Sequence, residues 1–272
     1  MSLAYVDSGG GDRSDPVLLV HGLGGRWQHW SRVIAGLAAD RRVIAVDLPG
    51  FGESTSPEGP FALSDLADLL ASAIRALELP GVIFAGHSFG GPLATTFAHR
   101  HPDLARKLVI VAGTVQTFQR TLGGRLSPWL RNPRTALATI CELVYTALPV
   151  PSGLRGPISR SRALRSLALW PFVLAPARLD PEDASLLIDG SGAPGVLPTA
   201  RAIGAARGWE RLDVAVPVAL INGDHDRIAP LADLRGYPGR VDRALIVHAT
   251  GHVPMIERPD AFVDAFEKAI AD

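Results

Sequence analysis

"AGHSFGGPLATTF", residues 85–97, sets a single serine between two glycines. Ser88 is flanked at once by the bulky His87 and Phe89, and two positions away by Gly86 and Gly90, so the stretch is no flexible glycine linker. An apolar run, residues 82–85, precedes it. A helix-like run, residues 90–100, follows, with Pro92 in the first turn where proline is tolerated. The pattern predicts a strand, a tight turn centred on Ser88, then a helix. Such a turn strains its central residue and crowds the neighbouring backbones, so both flanking positions call for glycine. It also lifts the hydroxyl off the sheet and aims a helix N-terminus at it. This is the Gly-x-Ser-x-Gly nucleophile elbow.

The strand rhythm extends along the chain. Residues 17–20, 43–46, 82–85, 108–111, 218–221 and 244–247 are short apolar runs, mostly rich in Val and Ile and bounded by Gly, Pro, Asp or His. Continuous runs of this length suit strands buried on both faces of a parallel sheet. Between them lie helical patterns. Leu63, Leu66, Leu70, Ile74 and Leu77 share one face, with Asp65 and Asp68 near the start and Ser64 offered as a cap. Residues 259–270 close the chain with Phe262, Phe266 and Ile270 on one stripe. The alternation predicts an α/β fold with right-handed crossovers.

That rhythm stops over residues 116–205. Ten of the 22 prolines fall there, beside short helical patches such as residues 135–146, and no strand-like run is evident. Strand pattern resumes at residues 214–222. The block therefore reads as a helical insertion into one continuing sheet. Internal repeats and low-complexity tails are absent from the sequence.

Composition bounds the function. The 272 residues suffice for one large domain or two ordinary ones, and 47% hydrophobic with 20% charged residues reads as globular. Lys+Arg and Asp+Glu both number 27, so nothing marks a nucleic-acid or anionic-membrane partner. Cys141 stands alone, which fits a reducing compartment. The N-terminal residues lack the basic-then-apolar order of a signal peptide. The longest apolar region, residues 163–179, is broken by Arg165, Pro171 and Pro176, so no membrane span is expected. A soluble cytoplasmic protein is the expectation; its oligomeric state is not legible.

A lone serine is a weak nucleophile and needs a base, an acid that orients it and a site for the oxyanion. "LLVHGLGG", residues 18–25, puts a glycine turn directly after a strand. "VALINGDHDRIAP", residues 218–230, puts an acidic turn after a later one, with Asp224 and Asp226 both in place to orient a base. "ALIVHATGHVPMIERP", residues 244–259, sets His252 just past the last strand. All follow strand C-terminal ends, the edge where open α/β sheets build their sites.

Taken together, His21-Gly22-Leu23-Gly24-Gly25, "DLPGFGES" (residues 47–54), Gly86-His87-Ser88-Phe89-Gly90-Gly91, the run from Gly223 to Pro230, and Gly251-His252 resemble the α/β-hydrolase superfamily, in its serine hydrolase branch with a helical cap. The resemblance covers the chain from near residue 17 onward, apart from the insertion. It implies a mostly parallel central sheet flanked by helices, with a cap inserted after the sixth core strand. The core would be residues 1–115 and 206–272, and the cap residues 116–205. By the same resemblance Ser88 matches the nucleophile, Asp226 the triad acid and His252 the base. The backbone N–H groups of Leu23 and Phe89 match the oxyanion hole. Asp224, nearer the strand end, is expected to bond the turn backbone. No metal and no cofactor are implied.

Rival classes fare worse. His248 and His252 are four apart but not on a helical pattern, and no Cys cluster or His-Glu-x-x-His exists to hold a metal. A dinucleotide fingerprint fails because Trp27 stands where its third glycine belongs. A ligand-binding receptor, or a cyclase, lyase or carbon–carbon bond cleaver on the same scaffold, stays open. The expected chemistry is cleavage of an ester, thioester or lactone through an acyl-enzyme. In the insertion, Leu164, Leu167, Leu169, Trp170, Phe172 and Leu174 predict an apolar cavity roof, hence a small-molecule, largely apolar acyl substrate. The alternative is that they only pack the block onto the sheet. The insertion's ten arginines against five acids would favour an acidic substrate unless they are simply solvated.

Overall fold

The computed structural model describes residues 2–10, 15–122, 126, 130–237 and 239–271. Seven strands form one sheet: β1 (Tyr5–Asp7), β2 (Val17–Val20), β3 (Val43–Val46), β4 (Val82–His87), β5 (Ala105–Val111), β6 (Val218–Gly223) and β7 (Arg243–Val247). Their order is β1-β3-β2-β4-β5-β6-β7; β1 runs antiparallel to β3 and every other pairing is parallel. Strands β2, β3, β4 and β6 are buried at every residue; β2 and β3 are unbroken Val, Ile, Leu and Ala, and β4 and β6 begin with apolar runs before ending in Gly86-His87 and Asn222-Gly223. β1 is a short, part-exposed edge strand with no continuous apolar run, and the sequence pattern gave no sign of it.

Helices α1 (Ser31–Leu37), α2 (Leu63–Ala76) and α3 (Gly90–Arg100) lie between the early strands. α4 (Gln116–Leu122), α5 (Pro133–Ala147), α6 (Ser152–Arg160), α7 (Arg162–Leu169), α8 (Pro181–Asp189) and α9 (Val196–Ala205) form the block between β5 and β6. α10 (Leu231–Arg235), α11 (Pro254–Glu257) and α12 (Pro259–Ile270) complete the chain. The helical block thus follows the fifth strand in chain order, not the sixth, because only one short strand precedes β2 among the described residues. α2 starts at an Ala62 cap position, and Asp65 accepts the Ala62 N–H at 2.8 Å. Ser64 lies inside the helix and is not the cap.

α2 buries Leu63, Leu66, Leu70 and Ile74, and α12 buries Phe262 and Phe266. Trp30 meets Phe262 at 6.0 Å between ring centroids, and Phe84 of β4 meets Phe97 of α3 at 5.1 Å. The second contact seats α3 on the sheet, and the first joins α12 to the segment leading into α1. Pairing Val20 with Gly86, His87 with Val111 and Gly223 with Val247 brings the ends of β2, β4, β5, β6 and β7 to one edge. The loops that follow them meet there.

Candidate active site

Ser88 sits immediately after β4 with φ of +52°, a left-handed conformation that a non-glycine residue adopts at a cost in strain. Its N–H donates to the Val111 carbonyl at 2.8 Å, and Gly91 N–H donates back to the Ser88 carbonyl at 2.9 Å. A Cβ at Gly86 would run into the Gly90 carbonyl. One at Gly90 would lie 3.0 Å from the Val20 carbonyl oxygen, tight but not prohibitive. The two glycines are therefore not equivalent. The elbow closes only because position 86 has no side chain.

On the neighbouring turn, Asp226 is buried. Its Oδ1 accepts from the N–H groups of Ile228 at 2.8 Å and Ala229 at 2.9 Å, while Oδ2 meets His252 Nδ1 at 2.9 Å. Both carboxylate oxygens can only accept, so the proton lies on His252 Nδ1 and Nε2 presents a lone pair. That Nε2 is buried, has no protein partner, and lies with Ser88 on the wall of one cavity. Burial opposes the His252 cation, yet the charge and hydrogen bond of Asp226, with Glu142 and Glu257 behind them, outweigh it and hold its pKa above 6.5.

Asp224 does what its position in the turn predicts. Its Oδ1 accepts from Thr250 N–H at 3.2 Å, and its carboxylate faces the exposed His225 and His248, not His252. After β5 the chain has Ala112 and Gly113, so no acid lies there to compete with Asp226.

The glycine turn after β2 is set by His21. Its Nδ1–H donates to the Gly22 carbonyl at 2.7 Å while Nε2 accepts Leu48 N–H at 3.0 Å, which fixes a neutral tautomer. Burial holds His21 below its ordinary pKa. Gly22 packs against the elbow, where a Cβ would approach Ser88 Cβ at 2.7 Å. Leu23 and Phe89 thus flank Ser88 from two loops, and among the described residues neither backbone N–H donates to a protein acceptor.

Several supporting groups escaped the sequence reading. His87 Nε2–H donates to the His252 carbonyl at 2.8 Å, and burial, reinforced by the charge of His252, keeps its ring neutral. Asp47 accepts the N–H groups of Trp27 at 2.7 Å and Glu53 at 3.0 Å, tying the loop after β3 to the one after β2. Glu257 accepts Gly251 N–H at 2.7 Å and Leu174 N–H at 2.8 Å; burial raises its pKa to about 7. His252 N–H itself donates to the Phe172 carbonyl at 2.7 Å, and Arg227 bonds the carbonyls of Trp170 and Val173. The His252 loop is therefore stitched to the helical block. Asp47 directly follows β3 and Glu257 lies five residues past His252, but nothing in the sequence separates either carboxylate from a solvated acid.

The roof differs from the sequence expectation. Of the six apolar residues proposed for it only Phe172 lines the cavity around Ser88; Leu167 is 75% exposed and Leu164 also faces outward. Glu142, Tyr145, Thr146 and Leu187 supply the rest of the overhang. No arginine lines this cavity among the described residues, and the buried Arg165 is spent on the carbonyls of Ser159, Pro176 and Ala177. The cavity volume is about 20 Å³, room for a single water.

A family model described as the alpha/beta hydrolase fold matches residues 15–259, and the chain belongs to that family. It is 40% identical over 113 residues to 2-hydroxy-6-oxo-2,4-heptadienoate hydrolase of Pseudomonas putida, a match spanning 40% of this chain and 41% of that one. Among solved structures, a thermophilic esterase from Thermogutta terrifontis superposes with a TM-score of 0.71 at 23% identity, covering 98% of this chain and 92% of the other. The enol-lactonase from Burkholderia xenovorans LB400 gives 0.69 at 21%, covering 99% and 96%. The chain is an enzyme of this family. Among the described residues no group of His, Cys, Asp and Glu is arranged to hold a metal, and no helix is long and apolar enough to cross a membrane.

Proposed function

We propose that the chain is a serine hydrolase that cleaves an ester, thioester or lactone through an acyl-enzyme on Ser88. The observation that carries this is His252: its Nδ1–H is held by Asp226 at 2.9 Å, and its unpartnered Nε2 shares a small cavity with Ser88 on the strained elbow. Ser88 Oγ attacks the substrate carbonyl carbon while Nε2 takes its proton, and Asp226 stabilises the imidazolium without itself becoming protonated. The carbonyl oxygen, now negative, is received by the N–H groups of Leu23 and Phe89. Collapse of the tetrahedral intermediate expels the alcohol or thiol, which takes the proton from Nε2. Water then repeats the sequence in reverse and frees the acid and Ser88.

Residues 116–205 act as the cap of this site. With about 20 Å³ over Ser88, a substrate acyl group enters only if lining side chains such as Glu142, Tyr145 or Phe172 rearrange. Arg26–Asp189 at 2.9 Å, Arg32–Asp183 at 2.8 Å and Arg32–Glu182 at 3.6 Å are ion pairs that tie the cap to the core. The test is labelling with a serine-directed fluorophosphonate followed by peptide mass spectrometry. The adduct is expected on Ser88 and lost in Ser88→Ala; a wild type that reacts only at another residue overturns the reading.

A further inference from the structure

Helix α5 turns most of its polar side inward, although Leu143 packs partly against the core. The helix's buried positions are Thr135, Ala136, Ala138, Thr139, Glu142 and Thr146, none of them a large hydrocarbon side chain. Its outward side carries Leu137 at 48%, Val144 at 51% and the exposed Ile140. A helix laid on a core for stability buries the apolar stripe and exposes the other. Here the polar side is turned inward, and its position says why: Glu142 and Tyr145 line the same cavity as Ser88 and His252.

Both present oxygens that the protein leaves unmet. Glu142 is 2% exposed and its Oε2 has no hydrogen-bond partner; Tyr145 Oη, one turn further on, is buried without one. Thr146 does not serve them, since its hydroxyl donates back to the Glu142 carbonyl at 2.8 Å. Unmet buried oxygens cost stability that a well-packed hydrocarbon would not, so a ligand is the economical explanation for keeping two of them together. The groups facing Glu142 are His252 and Asp226 from the base and acid loops, with His29 and His87 on the core side of the cavity. Burial foremost, with Asp226 adding and His252 opposing, pushes the Glu142 pKa up to about 7. A carboxyl so placed offers its proton as a hydrogen-bond donor near neutrality, as does the Tyr145 phenol.

We propose that Glu142 and Tyr145 form an oxygen-recognition subsite beside Ser88, selecting acyl groups that carry a hydroxyl or keto oxygen close to the reacting carbonyl over plain alkanoyl groups. This rests on the acyl-enzyme reading above. Donors from the carboxyl and the phenol meet the lone pairs of the substituent oxygen. Glu142 and Tyr145 share one cavity wall with Ser88 and His252, which sets the recognised oxygen within a few atoms of the carbonyl bonded by Ser88. A hydroxyl also suits ionised Glu142, because it can donate in turn; a keto group is served only by the protonated form.

The experiment compares kcat/KM for matched phenyl esters of butanoate, 3-hydroxybutanoate, 3-oxobutanoate and 4-aminobutanoate, alongside fluorophosphonate labelling of Ser88. The oxygenated esters are expected to exceed butanoate by about tenfold or more, the worth of one well-made hydrogen bond to a buried acid. Glu142→Met should bring that ratio near one, Glu142→Gln should keep most of it because the amide still donates, and Tyr145→Phe should lower it by a smaller factor. Leu167→Gln, on the outward face of the block, is the control and should leave the ratio as in wild type. Glu142→Met is also expected to melt a few degrees higher, so failure to fold is not the expected outcome. A wild type that labels at Ser88 but shows no preference, or prefers the ammonium-bearing ester, overturns the subsite alone. Absence of labelling at Ser88 overturns both readings.

Discussion

The carboxyl edge of the sheet and helix α5 face each other across one small cavity, yet they are built on opposite terms. At the edge, most polar groups hold one another: both oxygens of Asp226, both oxygens of Asp47 and both ring nitrogens of His21 have partners within 3.0 Å, while His252 Nε2 and His87 Nδ1 have none among the described residues. On α5, the buried oxygens of Thr139, Glu142 and Tyr145 have none. A satisfied network fixes geometry, because every alternative arrangement leaves a buried group unpaired. Unsatisfied groups fix nothing and lower stability, so they persist where something other than stability keeps them. On the proposed mechanism, the edge would be a frame for chemistry that varies little with substrate, and the helix the face on which substrates differ.

The sharpest way to break this contrast is at the frame. Gly86→Val should abolish activity and cost most of the soluble protein, since its Cβ alone would run into the Gly90 carbonyl and a β-branched side chain adds more. Gly90→Ala meets the Val20 carbonyl at 3.0 Å and should be far milder. Purified yield and turnover of the two variants decide the matter. A Gly86→Val protein with wild-type activity would mean that Ser88 is not held on a strained turn.

Next in size is the acid. Asp226→Asn keeps an acceptor for Ile228 and Ala229 but sets an amide opposite His252 Nδ1, so the ring loses its reason to keep the proton there. Turnover should fall by about two to four orders of magnitude with the fold intact. Asp224→Asn touches Thr250 and the exposed His225 and His248, and should cost far less turnover, acting mainly on stability. The pH profile sharpens the comparison. Only unprotonated His252 can take the Ser88 proton, so wild-type activity rises with pH, through a midpoint above 6.5 because the surrounding carboxylates raise that pKa. Removing the Asp226 charge should move the midpoint down. Turnover at matched folded concentration, measured across pH, tests both; a larger loss in Asp224→Asn would reverse the assignment.

The same contrast explains what could be read from the sequence. Parallel strands buried on both faces have little choice of composition, and β2 and β3 start and stop where their apolar runs do. The elbow is equally constrained, because steric exclusion at Gly86 has one residue as its answer. β1 carries no such signature: three part-exposed residues at an edge are indistinguishable from a loop. The cavity roof misled for a physical reason. Leu164 and Leu167 recur at helical spacing on α7 yet both face outward, since spacing says only that a stripe exists, not which way it faces. In α5 the polar stripe is the buried one, so a reading that looks for apolar roofs passes over Glu142 altogether.

The smallest effect tests the inward polar side of α5 itself, away from the substrate. Thr139 is fully buried on α5, its hydroxyl has no partner, and it does not line the cavity around Ser88. Valine has the same branching and nearly the same volume, so Thr139→Val leaves the packing intact and removes only the unmet hydroxyl. Helix propensities of the two residues are close, so the backbone contributes little to the difference. Removing the desolvation cost of that group should stabilise the protein by about 1 kcal/mol, a rise in Tm of roughly 2–4 °C for a chain of this size class. Calorimetry or denaturant melting reads it directly. A loss of similar size would mean that the hydroxyl is satisfied in solution and that α5 turns a different face to the core.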